Sequence, residues 1–340
     1  MTMYMYVTLQ GANALLRFGM HPDTGKLELQ KTLPVAGGPA PLALSPDRRM
    51  LYVGRRGVFE LSSYRLDPQS GALALLGTIG LQGEPCYMST DRAGKFLLSA
   101  YYQAGGAAVH AIADNGVAYG PPIEWLETAT GAHCFQTDRS NRFAFLPHIA
   151  GRGPNAIYQY RFDAQTGHMQ PNTPPMVHPE REDGPRHYCF HPNKDILYFS
   201  NEQGCGVTAY HCDPSRGVLS PFQTVSTLPA GFQGRNSCSQ IQITPSGRFL
   251  YAPNRGHNSI AGFAVDATNG TLTPIEHVAV DPVPRAFSID PTGQFLYVTG
   301  LESGRMLAYR IDQRSGKLAH LETYELGERP MWVLITELGA

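Results

Sequence analysis

The segment Gly184–Gly206 reads GPRHYCFHPNKDILYFSNEQGCG and contains the pattern that decides the fold. Two runs typical of strands, Arg186–Phe190 and Ile196–Ser200, are separated by HPNKD, which is turn chemistry. The segment therefore predicts a β-hairpin. Because a hairpin returns to its starting point, we expect Arg186 at its entry and Glu202 just past its exit to be near neighbours.

The turn and the second strand of this hairpin recur along the whole chain. If the proline of each copy, or its equivalent, marks the phase, the copies lie at positions 46, 92, 139, 192, 245 and 291, which are 46, 47, 53, 53 and 46 residues apart. Further strand patterns follow each copy, joined by Asp-x-x-x-Gly turns such as Asp266–Gly270. A unit of about 46 residues with four short antiparallel strands is typical of a β-propeller blade.

The six copies leave the two ends of the chain to be placed. Met3–Thr8 resembles the second strand of a unit, and Pro330–Ile335 resembles a first strand. Together they predict a seventh blade closed by both termini, which removes the exposed edges that an open array would leave. The sequence thus predicts an all-β, seven-bladed β-propeller with four strands per blade, forming a single domain over residues 1–340. The alternative is six blades with the two ends left as extensions.

Composition limits the partners and the compartment. The chain has 340 residues and a formal net charge of -1, so we expect neither a nucleic-acid partner nor an acidic membrane surface. Its six cysteines show no paired spacing, which is typical of buried thiols in a reducing compartment. The N-terminal sequence MTMYMYVTLQ has no basic region followed by a long apolar run, and no stretch is long enough to span a membrane. We expect a cytoplasmic protein.

The repeat also predicts which side chains meet at one mouth of the central channel. The first strand of each blade lines that channel, and it starts beside the end of the second strand. The first-strand positions, six residues before each phase marker with the C-terminal strand added, are Ala40, Cys86, His133, Arg186, Ser239, Arg285 and Met331. The second-strand positions are Gln10, Arg56, Tyr102, Ile149, Glu202, Arg255 and Leu301.

These two rings concentrate positive charge. A single arginine at a strand end is more often a solvated rim residue, but four converging ones are costly unless an anion compensates them. The planar guanidinium suits carboxylate and phosphate, which predicts a small anionic lactone or carboxylate as substrate. The predicted substrate-binding residues are Arg56, Arg255 and Arg285 of the rings, with His187 and His257, which are close to them in sequence.

The predicted catalytic residues are Glu202, His133 and Arg186. Glu202 is the one carboxylate in either ring and is the natural general base, although a structural salt bridge to Arg186 or Arg255 is the alternative. His133 is placed to share proton transfer. One acid among cations is a poor cage for a divalent ion, so we expect no catalytic metal. No nucleotide-binding fingerprint is present, and we expect no cofactor.

Several of these segments resemble one known family, the seven-bladed lactonase propellers that include bacterial 6-phosphogluconolactonase and fungal carboxy-cis,cis-muconate lactonizing enzyme. The segments that carry the resemblance are Gly184–His187, Asn201–Glu202, Asn254–Ile260, Pro284–Arg285 and Gly327–Trp332. The proposed active-site residues of the lactonizing branch, a His, two Arg and a Glu, correspond by motif to His133, Arg186, Glu202 and Arg255.

The resemblance implies lactone chemistry but leaves the substrate open. Gln240 stands where the family usually carries an acid, and His148–Asn155 replaces a characteristic acidic loop. The first expectation is a 6-phosphogluconolactonase-like hydrolase that opens the lactone of a sugar acid. The second is a lactonizing cycloisomerase acting on a carboxymuconate-like diacid. The third is a non-enzymatic propeller that serves as a binding scaffold.

Overall fold

The computed structural model describes residues 2–339, which form 28 strands in seven four-stranded antiparallel sheets. The strands are β1 Thr2–Leu9, β2 Ala14–Met20, β3 Leu27–Pro34, β4 Pro39–Leu44, β5 Met50–Arg55, β6 Glu60–Leu66, β7 Leu73–Gly80, β8 Pro85–Thr90, β9 Phe96–Tyr101, β10 Gly106–Ala111, β11 Glu124–Glu127, β12 Gln136–Thr137, β13 Phe143–His148, β14 Ala156–Phe162, β15 Met169–Val177, β16 Pro185–Phe190, β17 Ile196–Asn201, β18 Gly206–Asp213, β19 Val218–Ser226, β20 Gln242–Ile243, β21 Phe249–Asn254, β22 Ser259–Val265, β23 Leu272–Ala279, β24 Pro284–Ile289, β25 Phe295–Gly300, β26 Arg305–Ile311, β27 Leu318–Glu325 and β28 Pro330–Leu338.

Blade 1 joins the two ends of the chain, with strand order β28-β1-β2-β3. The last strand runs antiparallel to the first, so that Met5 lies opposite Ile335 and Thr8 opposite Trp332. Blades 2 to 7 then follow in chain order, from β4–β7 to β24–β27, with four strands each. The seven-bladed prediction is confirmed, and the alternative of six blades with loose ends is wrong. Within residues 2–339 no helix is long and apolar enough to cross a membrane.

Burial falls from the inside of each blade to the outside. The second strands are almost completely buried, whereas an outermost strand such as β3 is exposed at most positions. Clusters of buried apolar side chains lie between neighbouring blades, and one of them joins β1 and β2 of blade 1 to β25 of blade 7. The core is therefore a ring of sheet-to-sheet contacts around the channel.

A repeated tyrosine in the second strand links five of the seven blades to the blade that follows. Its hydroxyl donates a hydrogen bond to the carbonyl of a glycine in the outer turn of the following blade, at 2.5 to 2.8 Å. The pairs are Tyr6 to Gly71, Tyr52 to Gly116, Tyr198 to Gly270, Tyr251 to Gly316 and Tyr297 to Gly25. The last pair connects blade 7 to blade 1, so the repeat in the sequence also closes the ring.

A bulge near the start of several first strands shapes the channel. In blade 5, Pro185 pairs with Asn201 and Tyr188 pairs with Phe199, so one extra residue is inserted in β16. The same irregularity follows Pro39, Pro85 and Pro284 and recurs between β28 and β1. A bulge re-aims side chains and is common beside active sites. Here it lets two consecutive residues of one strand face the channel.

Candidate active site

A narrow cavity, here called the mouth cavity, opens at the end of the channel where the first strands begin. Its empty volume, counted together with the solvent-filled space at its opening, is about 280 Å³. The residues that line it are Ala40, Pro41, Arg56, Cys86, His133, Arg186, His187, Gln240, Arg285, Met331 and Trp332. Six of the seven predicted first-strand positions are among them. In blade 6, Gln240 lines the cavity instead of Ser239, which is fully buried and donates a hydrogen bond to the carbonyl of Pro284 at 2.7 Å.

The bulges bring in side chains that the repeat did not assign to the channel. They place Pro41 beside Ala40, His187 beside Arg186, and Trp332 beside Met331 in the lining of the mouth cavity. Strict alternation along a strand would send one residue of each pair to the opposite face. A proline at the strand entry in several repeats was the only sequence signal for this irregularity.

Arg186 and Glu202 form an ion pair beside the mouth cavity, as the hairpin predicted. Nε of Arg186 lies 2.6 Å from Oε2 of Glu202, and Nη2 of Arg255 lies 3.2 Å from the same oxygen. Arg255 also donates a hydrogen bond to the carbonyl of Cys238 at 2.6 Å. Glu202 Oε1 makes no hydrogen bond within residues 2–339. Arg186 lines the mouth cavity, Glu202 binds Arg186, and Arg255 binds Glu202. Neither Glu202 nor Arg255 lines the cavity itself.

The charges in this cluster shift one another's pKa values. Burial acts to raise the pKa of Glu202, but the charges and hydrogen bonds of Arg186 and Arg255 outweigh it and leave that pKa below its ordinary value. Burial, together with the charge of Arg255, lowers the pKa of Arg186 to about 10. Burial and the charges of Arg186 and Arg255 lower the pKa of Arg285 to about 9. At neutral pH the carboxylate is therefore ionised and both guanidinium groups stay charged.

The arginines retain unused hydrogen-bond donors. Nη1 of Arg186, Nε of Arg255 and Nε of Arg56 are buried without a partner in the described part of the chain. Arg186 is only 2% exposed, so the missing bond is not replaced by bulk water. Arg285 forms neither an ion pair nor a side-chain hydrogen bond within residues 2–339, although it lines the cavity. Buried donors without partners are costly, which points to a ligand that accepts from them.

A second carboxylate lies at the mouth and was not predicted from the sequence. Glu84, in the loop before β8, forms an ion pair with Nη2 of Arg56. It lies two residues before Cys86, just outside the ring positions, so the register of the repeat did not select it. The two rings hold a single acid, Glu202, and Glu84 adds a carboxylate from outside them.

Two histidines sit side by side in the wall of the mouth cavity. Nε2 of His187 lies 3.2 Å from Nδ1 of His133, and each residue is 5% exposed. Burial and the charge of Arg186 hold the pKa of both imidazoles well below its usual range. Both rings are therefore neutral at pH 7, and the contact is a hydrogen bond from one ring to the other. His187 also packs edge-on against Tyr87, with ring centroids 5.1 Å apart.

His257 is the one predicted site residue that lies neither in the lining of the mouth cavity nor in the ion-pair cluster of Arg186, Glu202 and Arg255. Its Nδ1 lies 2.7 Å from the hydroxyl of Ser259, and its ring packs edge-on against Phe232. It is not among the residues that line the mouth cavity. The segment that contains His257 leads from β21 to β22, and its backbone is held by a hydrogen bond to the side chain of Asn236. Although His257 is close to Arg255 in the sequence, its side chain therefore does not line the mouth cavity.

Comparisons with known proteins identify the family of the chain. The family described as lactonase, 7-bladed beta-propeller, matches residues 4–335. The chain belongs to this lactonase family. It is 37% identical over 314 residues to the 6-phosphogluconolactonase of Pectobacterium carotovorum subsp. carotovorum, covering 92% of this chain and 93% of that one. It is 34% identical over 320 residues to the 6-phosphogluconolactonase of Cronobacter sakazakii, with 93% of each chain covered.

A solved structure shares the whole lactonase propeller. The periplasmic gluconolactonase of Pseudomonas aeruginosa superposes with a TM-score of 0.90 at 24% identity, covering 100% of both chains. At that identity the likeness concerns the fold. Cytoplasmic location of the present chain stays a prediction.

Gln240 is one of the residues that line the mouth cavity, and its Oε1 accepts a hydrogen bond from the backbone N–H of Phe287 at 2.9 Å. The amide thus links blade 6 to blade 7 and brings no negative charge. As a result, the cavity of this chain is more cationic than one with an acid at the same position.

Proposed function

We propose that this lactonase-family chain hydrolyses the lactone of a phosphorylated sugar acid. The observation that carries the proposal is the excess of arginine around a narrow cavity. Arg56, Arg186, Arg255 and Arg285 face two carboxylates, Glu84 and Glu202, and two positive charges remain. Support also comes from the curated relatives, which are named 6-phosphogluconolactonase.

The excess charge matches a phosphate monoester. At pH 7 such a group carries roughly −1.5 to −2 charges. His133 and His187 are neutral and do not change this balance. Arg285 has no ion pair or side-chain hydrogen bond within residues 2–339, and we assign it to the phosphate. Arg56 and Arg255 each keep a buried Nε without a hydrogen-bond partner in the described residues, and both add positive charge near Arg285.

Arg186 is assigned to the reacting carbonyl. Its Nε is taken by Glu202, whereas its buried Nη1 has no partner in the described residues. A fixed donor directed at the carbonyl oxygen stabilises the negative charge that develops there when water attacks. Because the guanidinium is held by Glu202, it needs little reorganisation at the moment of reaction.

Glu202 is assigned to activate the attacking water. It is ionised at neutral pH, and Oε1 is free of hydrogen bonds from described residues. The paired arginines lower its basicity, so part of the catalytic effect must come from positioning the water. His133 lines the cavity and is assigned to the ring oxygen that leaves the carbonyl carbon. We assign no part in the reaction to His257.

A substrate panel tests the proposal. The purified chain is assayed with 6-phosphoglucono-δ-lactone, with glucono-δ-lactone and with a carboxymuconate, each corrected for its spontaneous reaction. We expect the highest kcat/KM with the phosphorylated lactone, at least about tenfold above the unphosphorylated one, since a lost charge-assisted contact costs roughly 1.5–3 kcal/mol. Lactonization of carboxymuconate with no lactone hydrolysis would overturn the proposal, as would the absence of turnover with all three.

A further inference from the structure

The channel is divided at its centre by a small group of side chains. On the far side of the mouth cavity lies a wider space that is open to solvent, here called the rear depression. It is lined by the later residues of the first strands and by the turns after them, among them Arg139, Tyr188 and Pro192. Three residues, His187, Gln240 and Trp332, line both spaces. Of these three, only His187 carries a group that exchanges protons near neutral pH.

His187 connects the two spaces through His133. The 3.2 Å contact between Nε2 of His187 and Nδ1 of His133 leaves one further nitrogen on each ring, His133 Nε2 and His187 Nδ1. Neither of these nitrogens makes a hydrogen bond within the described part of the chain. The pair is therefore a short chain of two imidazoles. His133, at one end, lines the mouth cavity, and His187, at the other end, also borders the rear depression.

The surrounding arginines restrict how this pair can work. Burial and the charges of Arg186 and Arg285 disfavour an imidazolium at His133. A neutral imidazole that only gives up its proton becomes an imidazolate, a very strong base. His133 alone is therefore a poor donor to the leaving alkoxide. A second ring that delivers a proton to Nδ1 while Nε2–H is given away avoids both charged forms.

We propose that His187 relays protons between His133 and water in the rear depression during lactone hydrolysis, an inference that rests on the proposed function. Glu202 takes a proton from the attacking water as the water oxygen bonds to the lactone carbonyl carbon, the C–O bond of the ring then breaks, and the alkoxide takes the proton from Nε2 of His133. At the same time Nδ1 of His133 takes the proton of His187 Nε2–H, and Nδ1 of His187 takes a proton from water in the rear depression, which is left as hydroxide.

The reverse transfer restores the starting state. The proton held by Glu202 passes to Nε2 of His133, the proton on Nδ1 of His133 returns to Nε2 of His187, and Nδ1 of His187 gives its proton to the hydroxide in the rear depression, which becomes water again. The net reaction consumes one water and gives the hydroxy acid, which ionises in solution. In this scheme His187 acts through His133, so its part in the reaction is that of a positioning and relay residue.

Chemical rescue tests the relay. His187→Ala removes the ring and leaves space next to the rear depression for a small imidazole. We expect kcat to fall at least about tenfold, because general acid–base catalysis typically contributes 10²–10⁴-fold. We expect 4-methylimidazole to restore kcat in a saturable manner. Its isomer 1-methylimidazole has the same size but no second exchangeable nitrogen, so it should not restore kcat.

The parent enzyme and a matched variant provide the controls. Parent turnover is measured first, so failure of the lactonase proposal appears before any variant is made. His148→Gln alters another buried histidine, whose Nε2 lies 2.8 Å from the Thr128 hydroxyl, and it does not line the mouth cavity. We expect it to lower Tm with little change in kcat. Unchanged kcat in His187→Ala, equal rescue by both isomers, or no rescue by either would overturn the relay.

Discussion

His110 gives a stability prediction whose magnitude follows from its environment. It is fully buried in β10, and both ring nitrogens lack a hydrogen-bond partner within residues 2–339. Burial lowers the pKa of His110 from 6.5 to about 4. The unfolded chain therefore binds a proton more readily than the folded chain, and folding stability falls as the pH drops from about 6.5 towards about 4.

The size of the effect follows from this difference. One pKa unit corresponds to about 1.4 kcal/mol, so the full shift is worth roughly 3 kcal/mol, and about 2 kcal/mol of it is lost by pH 5. His148, whose pKa burial also lowers to about 4, adds a loss in the same direction. We expect the free energy of unfolding of the parent to decrease steeply between pH 6.5 and 4.

The measurement is urea unfolding of the parent and of His110→Leu at pH 7.5 and at pH 5. Leucine cannot take up a proton, so the loss of stability between the two pH values should be smaller in the variant by about 2 kcal/mol. The change in the free energy of unfolding between the two pH values is compared for each protein, because the packing effect of the substitution is the same at both pH values and cancels. His21→Gln, at an exposed position, serves as the matched control and should lose as much as the parent. If His110→Leu loses as much as the parent, the reasoning is refuted.

Three further predictions concern the site and the ring. Glu202→Gln should still bind substrate and lose roughly 10²–10⁴-fold in kcat, and a folded Glu202→Gln enzyme with parental kcat would remove Glu202 from the mechanism. Arg186→Lys should change KM and kcat together, because lysine lacks the planar fork of the guanidinium. Lactone turnover should withstand prolonged EDTA treatment, since the carboxylates at the mouth are paired with arginines; a tenfold loss that a divalent metal restores would contradict this. Deleting residues 330–340 removes β28 and should lower the free energy of unfolding by several kcal/mol; a truncated chain that melts like the parent would contradict the closure of blade 1.

Much of the fold was predictable because the repeat fixes both turns and pairing. The Pro-x-x-x-x-Leu-Tyr pattern places a turn and a buried second strand in four of the units, and in each of these the tyrosine hydroxyl reaches the next blade. The same register predicted that Arg186 meets Glu202 and that His133 faces the channel. These are consequences of hairpin geometry, which the local sequence determines.

The rest of the site depends on irregularities that the repeat does not encode. The bulge in β16 turns His187 into the channel beside Arg186, and a regular strand would have placed it on the other face. Glu84 forms its ion pair with Arg56 from a loop. In blade 6 the first strand has only two residues, and Gln240 lines the cavity at the place predicted for Ser239. Loop conformation and strand bulges depend on tertiary packing, so their side chains could not be assigned from spacing alone.

The most direct test of the central claim measures how Arg285 affects the preference for a phosphorylated substrate. The ratio of kcat/KM for 6-phosphoglucono-δ-lactone to that for glucono-δ-lactone is compared among the parent, Arg285→Gln and the control Arg305→Gln. Arg305 is bound to Asp281 by two hydrogen bonds of 2.7 and 2.8 Å and does not line the mouth cavity. We predict that Arg285→Gln lowers the ratio at least about tenfold and that the control keeps the parental ratio, since a charge-assisted contact is worth roughly 1.5–3 kcal/mol. An unchanged ratio in Arg285→Gln would contradict the assignment of the arginine-lined cavity to a phosphorylated lactone.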